Sequence, residues 1–212
     1  MTETARFFDE MAPRYDADLE VLGWDPVGLV RDWPFHVAPG ATVLDAGCGT
    51  GAVLEHFSGA GRKLVGFDVS PGMIRAARRR RSIRVADLHV HAAEDEWPMP
   101  EASVDAVVAL AMLEFVETLD RAFDEIQRCL TPFGRAIVSI EDVVDADGVA
   151  RPSHEVRYGR FPLWRRSWDD VDLCIPPGLR VVRREKRDAY RVLELGFTCT
   201  YHVVELERVP DV

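Results

Sequence analysis

The densest chemical signal in the 212-residue chain is VLDAGCGTG, Val43 to Gly51, where an apolar run ends in an aspartate and then in glycines at alternate positions, Gly47, Gly49 and Gly51. Glycine has no Cβ, so backbone built from it can approach a ligand closely and adopt positive φ at little cost. The run therefore reads as a strand turning into a loop that cradles a ligand and then into a helix. Gly47, Gly49 and Ala52 also satisfy the G-x-G-x-x-G/A pattern of dinucleotide sites, so the glycine spacing alone leaves two classes of nucleotide cofactor open.

Asp45 separates them. A carboxylate two residues before the first glycine repels a pyrophosphate and favours a cation such as an ammonium or a sulfonium, which points to S-adenosylmethionine. Asp68 closes the next apolar run and lies 19 residues past Gly49. Its two oxygens can accept both hydroxyls of a ribose, a feature common to both cofactor classes.

Holding these two acids side by side requires parallel strands. ATVLDAG at 41–47, KLVGFD at 63–68 and VDAVVAL at 104–110 are short, continuously apolar runs of the kind buried on both faces, and Arg135 to Ile140 reads as a further strand. Helical spacing predicts helices over Ala52 to Phe57, over Pro71 to Arg80 with Ser70 as N-cap and proline at the first helical position, and over Leu119 to Leu130 with Leu119, Phe123, Ile126 and Leu130 on one face. The alternation implies a doubly wound α/β sheet. LRVVRREKR at 179–187 and FTCTYHVVELERV at 197–209 are strand-like and suited to antiparallel pairing at the sheet edge. The first 24 residues, with Phe7, Phe8, Met11 and Tyr15 near helical spacing, predict a helix over the carboxyl edge of the sheet, and 145–170 reads as an inserted lid or loop.

In their order and spacing, FFDEMAPRYDA at 7–17, VLDAGCGTG, VGFDVSPGMI at 65–74, AEDEWPMPEASVDAVVALAMLEFV at 93–116 and LTPFGRAIVSIE at 130–141 resemble the class I S-adenosylmethionine-dependent methyltransferases, especially the ubiquinone-biosynthesis-like group acting on small molecules. The resemblance implies an α/β fold: a Rossmann-like, mostly parallel seven-stranded sheet with an antiparallel terminal hairpin strand and helices on both faces. It implies one methyltransferase domain over 1–212, with a helical cap at 1–35, a cofactor core at 36–144, a lid at 145–170 and a C-terminal helix and strands at 171–212. It also implies that Asp45 and the Gly47, Cys48 and Gly49 backbone hold the methionine part, Asp68 the ribose, and Val69 with Met73 an adenine face, with Tyr15 as a lid tyrosine and Gly51 and Leu110 at the cofactor. Ala93 stands where many relatives carry an acid for the adenine amino group, with Glu94 and Asp95 following as substitutes, and Phe133 replaces the first glycine of a proline-glycine-glycine turn.

The acceptor side is less defined. HEVRYGRFPLWRRSW at 154–168 interleaves arginine with aromatic residues, so Arg157, Tyr158, Arg160 and Trp164, together with Phe115, are candidates for a planar acidic substrate; buried aromatics under solvated arginines is the alternative. Glu114, Glu141, His154 and Tyr158 are the unranked candidates for a general base. The run Arg78 to Arg81 ends a predicted helix and reads as a solvated face favoured by the helix dipole.

The chain carries 26 Lys and Arg against 36 Asp and Glu, a net charge of −10. That argues against a general nucleic-acid or anionic-lipid binder. Four separated cysteines suggest no metal site and no disulfide framework, and the acidic amino terminus is unlike a signal peptide, so a cytoplasmic protein is expected. The expected activity is methyl transfer to an oxygen, nitrogen or carbon atom of a small molecule, releasing S-adenosylhomocysteine. A repurposed cofactor-binding protein and an NAD-dependent oxidoreductase are the rival readings.

Overall fold

The computed structural model describes residues 1–31, 33, 35–157, 160–192 and 196–210. In β1 (Thr42–Ala46) Val43 enters one apolar core while Leu44 and Ala46 enter another. In β4 (Val104–Ala109) Ala106 and Val108 join Val43, and Val107 and Ala109 join Leu44. Strands apolar on both faces need cover on both, which is the arrangement of a helix-wrapped parallel sheet. Residues of α3 (Gly28–Arg31), α4 (Ala52–His56) and α5 (Pro71–Ala77) fill one core, and those of α6 (Leu119–Cys129) the other.

Among the described residues seven strands form the main sheet in the order β3-β2-β1-β4-β5-β9-β8. Here β2 is Lys63–Asp68, β3 is Asp87–Val90, β5 is Leu130–Glu141, β8 is Leu179–Val192 and β9 is Phe197–Arg208. β3 to β5 run parallel; β9 lies antiparallel on β5, and β8 antiparallel on β9. Chain order reverses between β1 and β4, and such a point opens a crevice at the carboxyl ends of the strands.

Several expectations require correction. The amino-terminal segment is two helices, α1 (Glu3–Met11) and α2 (Tyr15–Leu22), interrupted around Pro13, whose ring and missing N–H disfavour a continuous helix. α5 ends at Ala77 rather than Arg80, although Ser70 caps it as expected by accepting the Met73 N–H at 3.1 Å. β3 had no counterpart in the sequence reading. The segment expected to be a loop holds a two-stranded antiparallel hairpin, β6 (His154–Arg157) with β7 (Phe161–Trp164), and the start of α7 (Trp168–Cys174). Phe133 keeps the turn conformation without the glycine, at φ 65° with its side chain exposed. No helix among the described residues is long and apolar enough to cross a membrane.

Candidate active site

At the switch point, a cavity of about 570 Å³ is bounded by the carboxyl ends of β1, β2 and β4, by α1 and α2, and by the β6–β7 hairpin. The glycine loop forms its floor. Gly47 stands at φ 70°, and a Cβ there would lie 2.3 Å from Met112 Cγ, so the position accepts glycine only. Gly49 is at φ 50° beside open space, and its N–H donates to Asp68 Oδ2 at 3.0 Å. β1 and β2 are in register Asp45 to Gly66, which sets both strand-end acids at the same rim.

Asp45 is buried, and its Oδ2 has no hydrogen-bond partner. Burial first, and the Asp68 charge second, push its carboxyl well above the usual carboxylate range. Asp68 is pushed up to about 6 by burial, opposed by the N–H groups of Ser70 and Gly49. Each Asp68 oxygen accepts one of those N–H groups, leaving lone pairs for two further donors. Burial also raises the Tyr15 phenol, with Asp68 and Glu114 adding to the effect. Cys48 lines the cavity with a thiol that burial keeps protonated, so it serves as a small neutral residue.

The amino-terminal helices are held over the loop by ionic contacts. Arg80 donates to Thr50 O, to Asp16 Oδ2 and to Glu55 Oε2, each at 2.6 Å, and Thr50 Oγ1 donates to Asp16 at 2.5 Å. Arg80 is thus a clamp between α2 and the glycine loop, which corrects its reading as part of a solvated face. Asp9 of α1 accepts the N–H of Gly72 at the start of α5.

Tyr15, Asp45, Gly47, Cys48, Gly49, Asp68, Val69, Met73, Ala93, Glu94 and Leu110 all line the cavity. Gly51 does not: it opens α4 at φ 85° and faces Ile83 and Ala77. Asp95 is exposed outside the lining, so of the two acids after Ala93 only Glu94 reaches it. Phe115 and Trp164 line the cavity beside Phe8 and Pro162, and Phe8 meets Phe115 edge-on at 5.3 Å. Arg157 and Arg160 do not: Arg157 is buried against Glu141, and Arg160 pairs with Glu10 at 2.6 Å. Tyr158 lies outside the described residues. Among the base candidates, Glu141 is consumed by two arginines and His154 is exposed against Trp164. Glu114 is buried next to the wall, accepts the Tyr201 hydroxyl at 2.6 Å, keeps Oε2 unpartnered, and is pushed up to about 7 by burial. Asp16, Thr50, Met112 and Phe8 lie inside the quoted motifs but gain a place in the site only from the structure, and Trp24 lies in none of them.

A sequence profile described as "Methyltransferase domain" matches residues 44–138. The demethylmenaquinone methyltransferase of Paenarthrobacter aurescens (strain TC1) is 30% identical over 195 residues, covering 89% of this chain and 68% of that protein. The malonyl-[acyl-carrier protein] O-methyltransferase of Pectobacterium atrosepticum is 30% identical over 130 residues, 61% of this chain and 49% of its own length. A solved SAM-dependent methyltransferase from Aquifex aeolicus superposes with a TM-score of 0.63 at 21% identity, covering 93% of this chain and 97% of that one. Sequence likeness, a glycine loop flanked by two strand-end acids, and the strand order agree: the chain belongs to the class I S-adenosylmethionine-dependent methyltransferase family.

Proposed function

We propose that residues 1–212 act as one domain that methylates an uncharged, ring-bearing small molecule, with the cofactor on the glycine loop and the acceptor against Phe8, Phe115, Pro162 and Trp164. When bound, S-adenosylmethionine supplies a methyl group on a positive sulfur, open to in-line attack. The residues fit it. The unpartnered Oδ2 of buried Asp45 is an acceptor waiting for a cationic donor, such as the amino group. The free lone pairs of Asp68 suit the ribose hydroxyls, and Val69 and Met73 offer an apolar face to the base.

One observation carries the acceptor reading: the arginines that would have greeted an acidic substrate are engaged elsewhere, which leaves an aromatic wall. Aromatic faces and edges receive a planar ring in offset or edge-on contact. The two curated relatives are named for demethylmenaquinone and for malonyl-[acyl-carrier protein], and such a wall favours a ring acceptor of the first kind. Glu114 is buried outside the cavity lining and the wall residues carry no base, so the acceptor brings an electron-rich atom of its own, and the chain contributes alignment and exclusion of water. Incubation with methyl-labelled cofactor and fractionated metabolites tests this: label is expected in a neutral aromatic product, and label in acidic aliphatic products alone refutes it. Phe115→Ala is expected to raise the acceptor KM about five- to tenfold, as for loss of about 1–1.5 kcal/mol of ring contact, with cofactor affinity unchanged.

The strand-end acids also predict a pH dependence. Ribose hydroxyls and an ammonium favour ionised Asp68 and Asp45, whereas burial by itself favours their protonated forms. Ligand binding therefore releases protons, and affinity falls as pH drops through about 6, the Asp68 value. At pH 5 the affinity for S-adenosylhomocysteine is expected to be at least about tenfold below that at pH 7.5, Asp68 alone accounting for about tenfold. Calorimetry in buffers of different ionisation enthalpy measures both effects, and a pH-independent affinity with no proton release excludes this role.

A further inference from the structure

Among the described residues the β6–β7 hairpin joins no larger sheet; just past it the Arg166 N–H donates to Glu141 O at 2.9 Å. An isolated two-stranded hairpin is marginal in water, so something else must hold this one over the cavity. Beneath it lies a closed ring of four charges. Glu141, at the carboxyl end of β5, accepts from Arg157 Nη2 at 2.8 Å and from Arg165 Nε at 2.6 Å. Glu155 accepts from Arg157 Nε and Arg165 Nη2, both at 2.8 Å. The Glu141, Arg157 and Arg165 side chains are at most 3% exposed, and Arg157 also donates to the Tyr190 hydroxyl of β8 at 2.6 Å. Two positive and two negative groups cancel.

We propose that Glu141 is the positioning residue of the acceptor wall: through Arg157 and Arg165 it fixes the hairpin that carries Pro162 and Trp164 into the cavity. The proposal rests on the reading that this wall receives the acceptor. The physical reason is directionality. Phe161 packs against Phe7, Phe8 and Phe115, with ring centroids 4.5, 6.1 and 5.6 Å away. Such apolar contacts hold the hairpin down but tolerate sliding. Guanidinium forks on one carboxylate specify both distance and orientation. Buried charges are costly when unpaired, so a shifted hairpin that broke the ring would be strongly disfavoured. One ring member sits on the rigid sheet and three on or beside the hairpin, which transmits the sheet's position to Trp164.

Glu141→Gln keeps the shape and removes the charge; Glu155→Gln removes the partly exposed carboxylate and serves if the first variant does not fold. Two quantities are read: amide hydrogen exchange over 154–164, and affinity for 1-naphthol, a neutral ring probe, in the presence of S-adenosylhomocysteine. The expected result is at least tenfold faster exchange in the hairpin and at least tenfold weaker naphthol binding, with S-adenosylhomocysteine affinity within twofold of wild type. A general loss of structure would move both affinities together. Unchanged hairpin exchange, or faster exchange with unchanged naphthol affinity, overturns the positioning role alone. Wild-type protein that binds no naphthol overturns the acceptor-wall reading and this proposal with it.

Discussion

Asp68→Ala is expected to weaken S-adenosylhomocysteine binding by about 1.5–3 kcal/mol, the range for a hydrogen bond to a charged group. That is about a tenfold to a hundredfold loss in affinity. The substitution removes the proposed acceptor for the ribose hydroxyls and frees the Gly49 N–H, which Asp68 holds at 3.0 Å. Loop and ligand therefore lose the same partner. Thermal stability should respond less, because the lost N–H contacts of Gly49 and Ser70 are offset by removing a carboxyl that burial already disfavours as a charge. Asp68→Asn keeps one acceptor oxygen and should fall between the two. Calorimetric titration decides the matter: an alanine variant within twofold of wild type would remove Asp68 from the cofactor site.

The second large effect is expected at Gly47. Alanine there must adopt φ 70°, which costs an L-residue about 1–2 kcal/mol. Its Cβ would also fall 2.3 Å from Met112 Cγ and 2.7 Å from Met112 Cβ. Met112 is buried after β4, so relief requires moving a side chain packed in the core, at a further cost of about 1–3 kcal/mol. Gly47→Ala should thus destabilise the fold by about 2–5 kcal/mol and tilt the loop away from its ligand. Gly49→Ala meets nothing within 4 Å and carries only the conformational cost. A denaturant titration in which the two variants lose equal stability would refute the steric argument.

The parts of the site that were legible in the sequence are local in the chain. A strand that ends in aspartate and glycine is written in consecutive residues, and the spacing from Gly49 to Asp68 is set by one helix and one strand. Ser70 with Pro71 announces a helix start because capping involves only the next three residues. Apolar continuity in the central strands reports that both faces are covered, the strand-like runs at 179–187 and 197–209 announce the terminal antiparallel pair, and the family resemblance supplies the count of seven strands. β3 was missed since DLHV is short and exposes half its residues.

What the sequence determined by itself was therefore the central strands, the glycine loop and the identity of the two acids at the rim of the cavity. Tertiary structure alone decided how the arginines are used. Arg80, Arg157, Arg160 and Arg165 look alike along the chain, yet one clamps α2 to the glycine loop, one pairs with α1, and two close a buried ring on Glu141. Backbone angles, caps and apolar periodicity are set within a few residues. The partner of a long charged side chain is whichever acid the docking of distant segments brings within about 3 Å, and that distance exists only once the chain has folded.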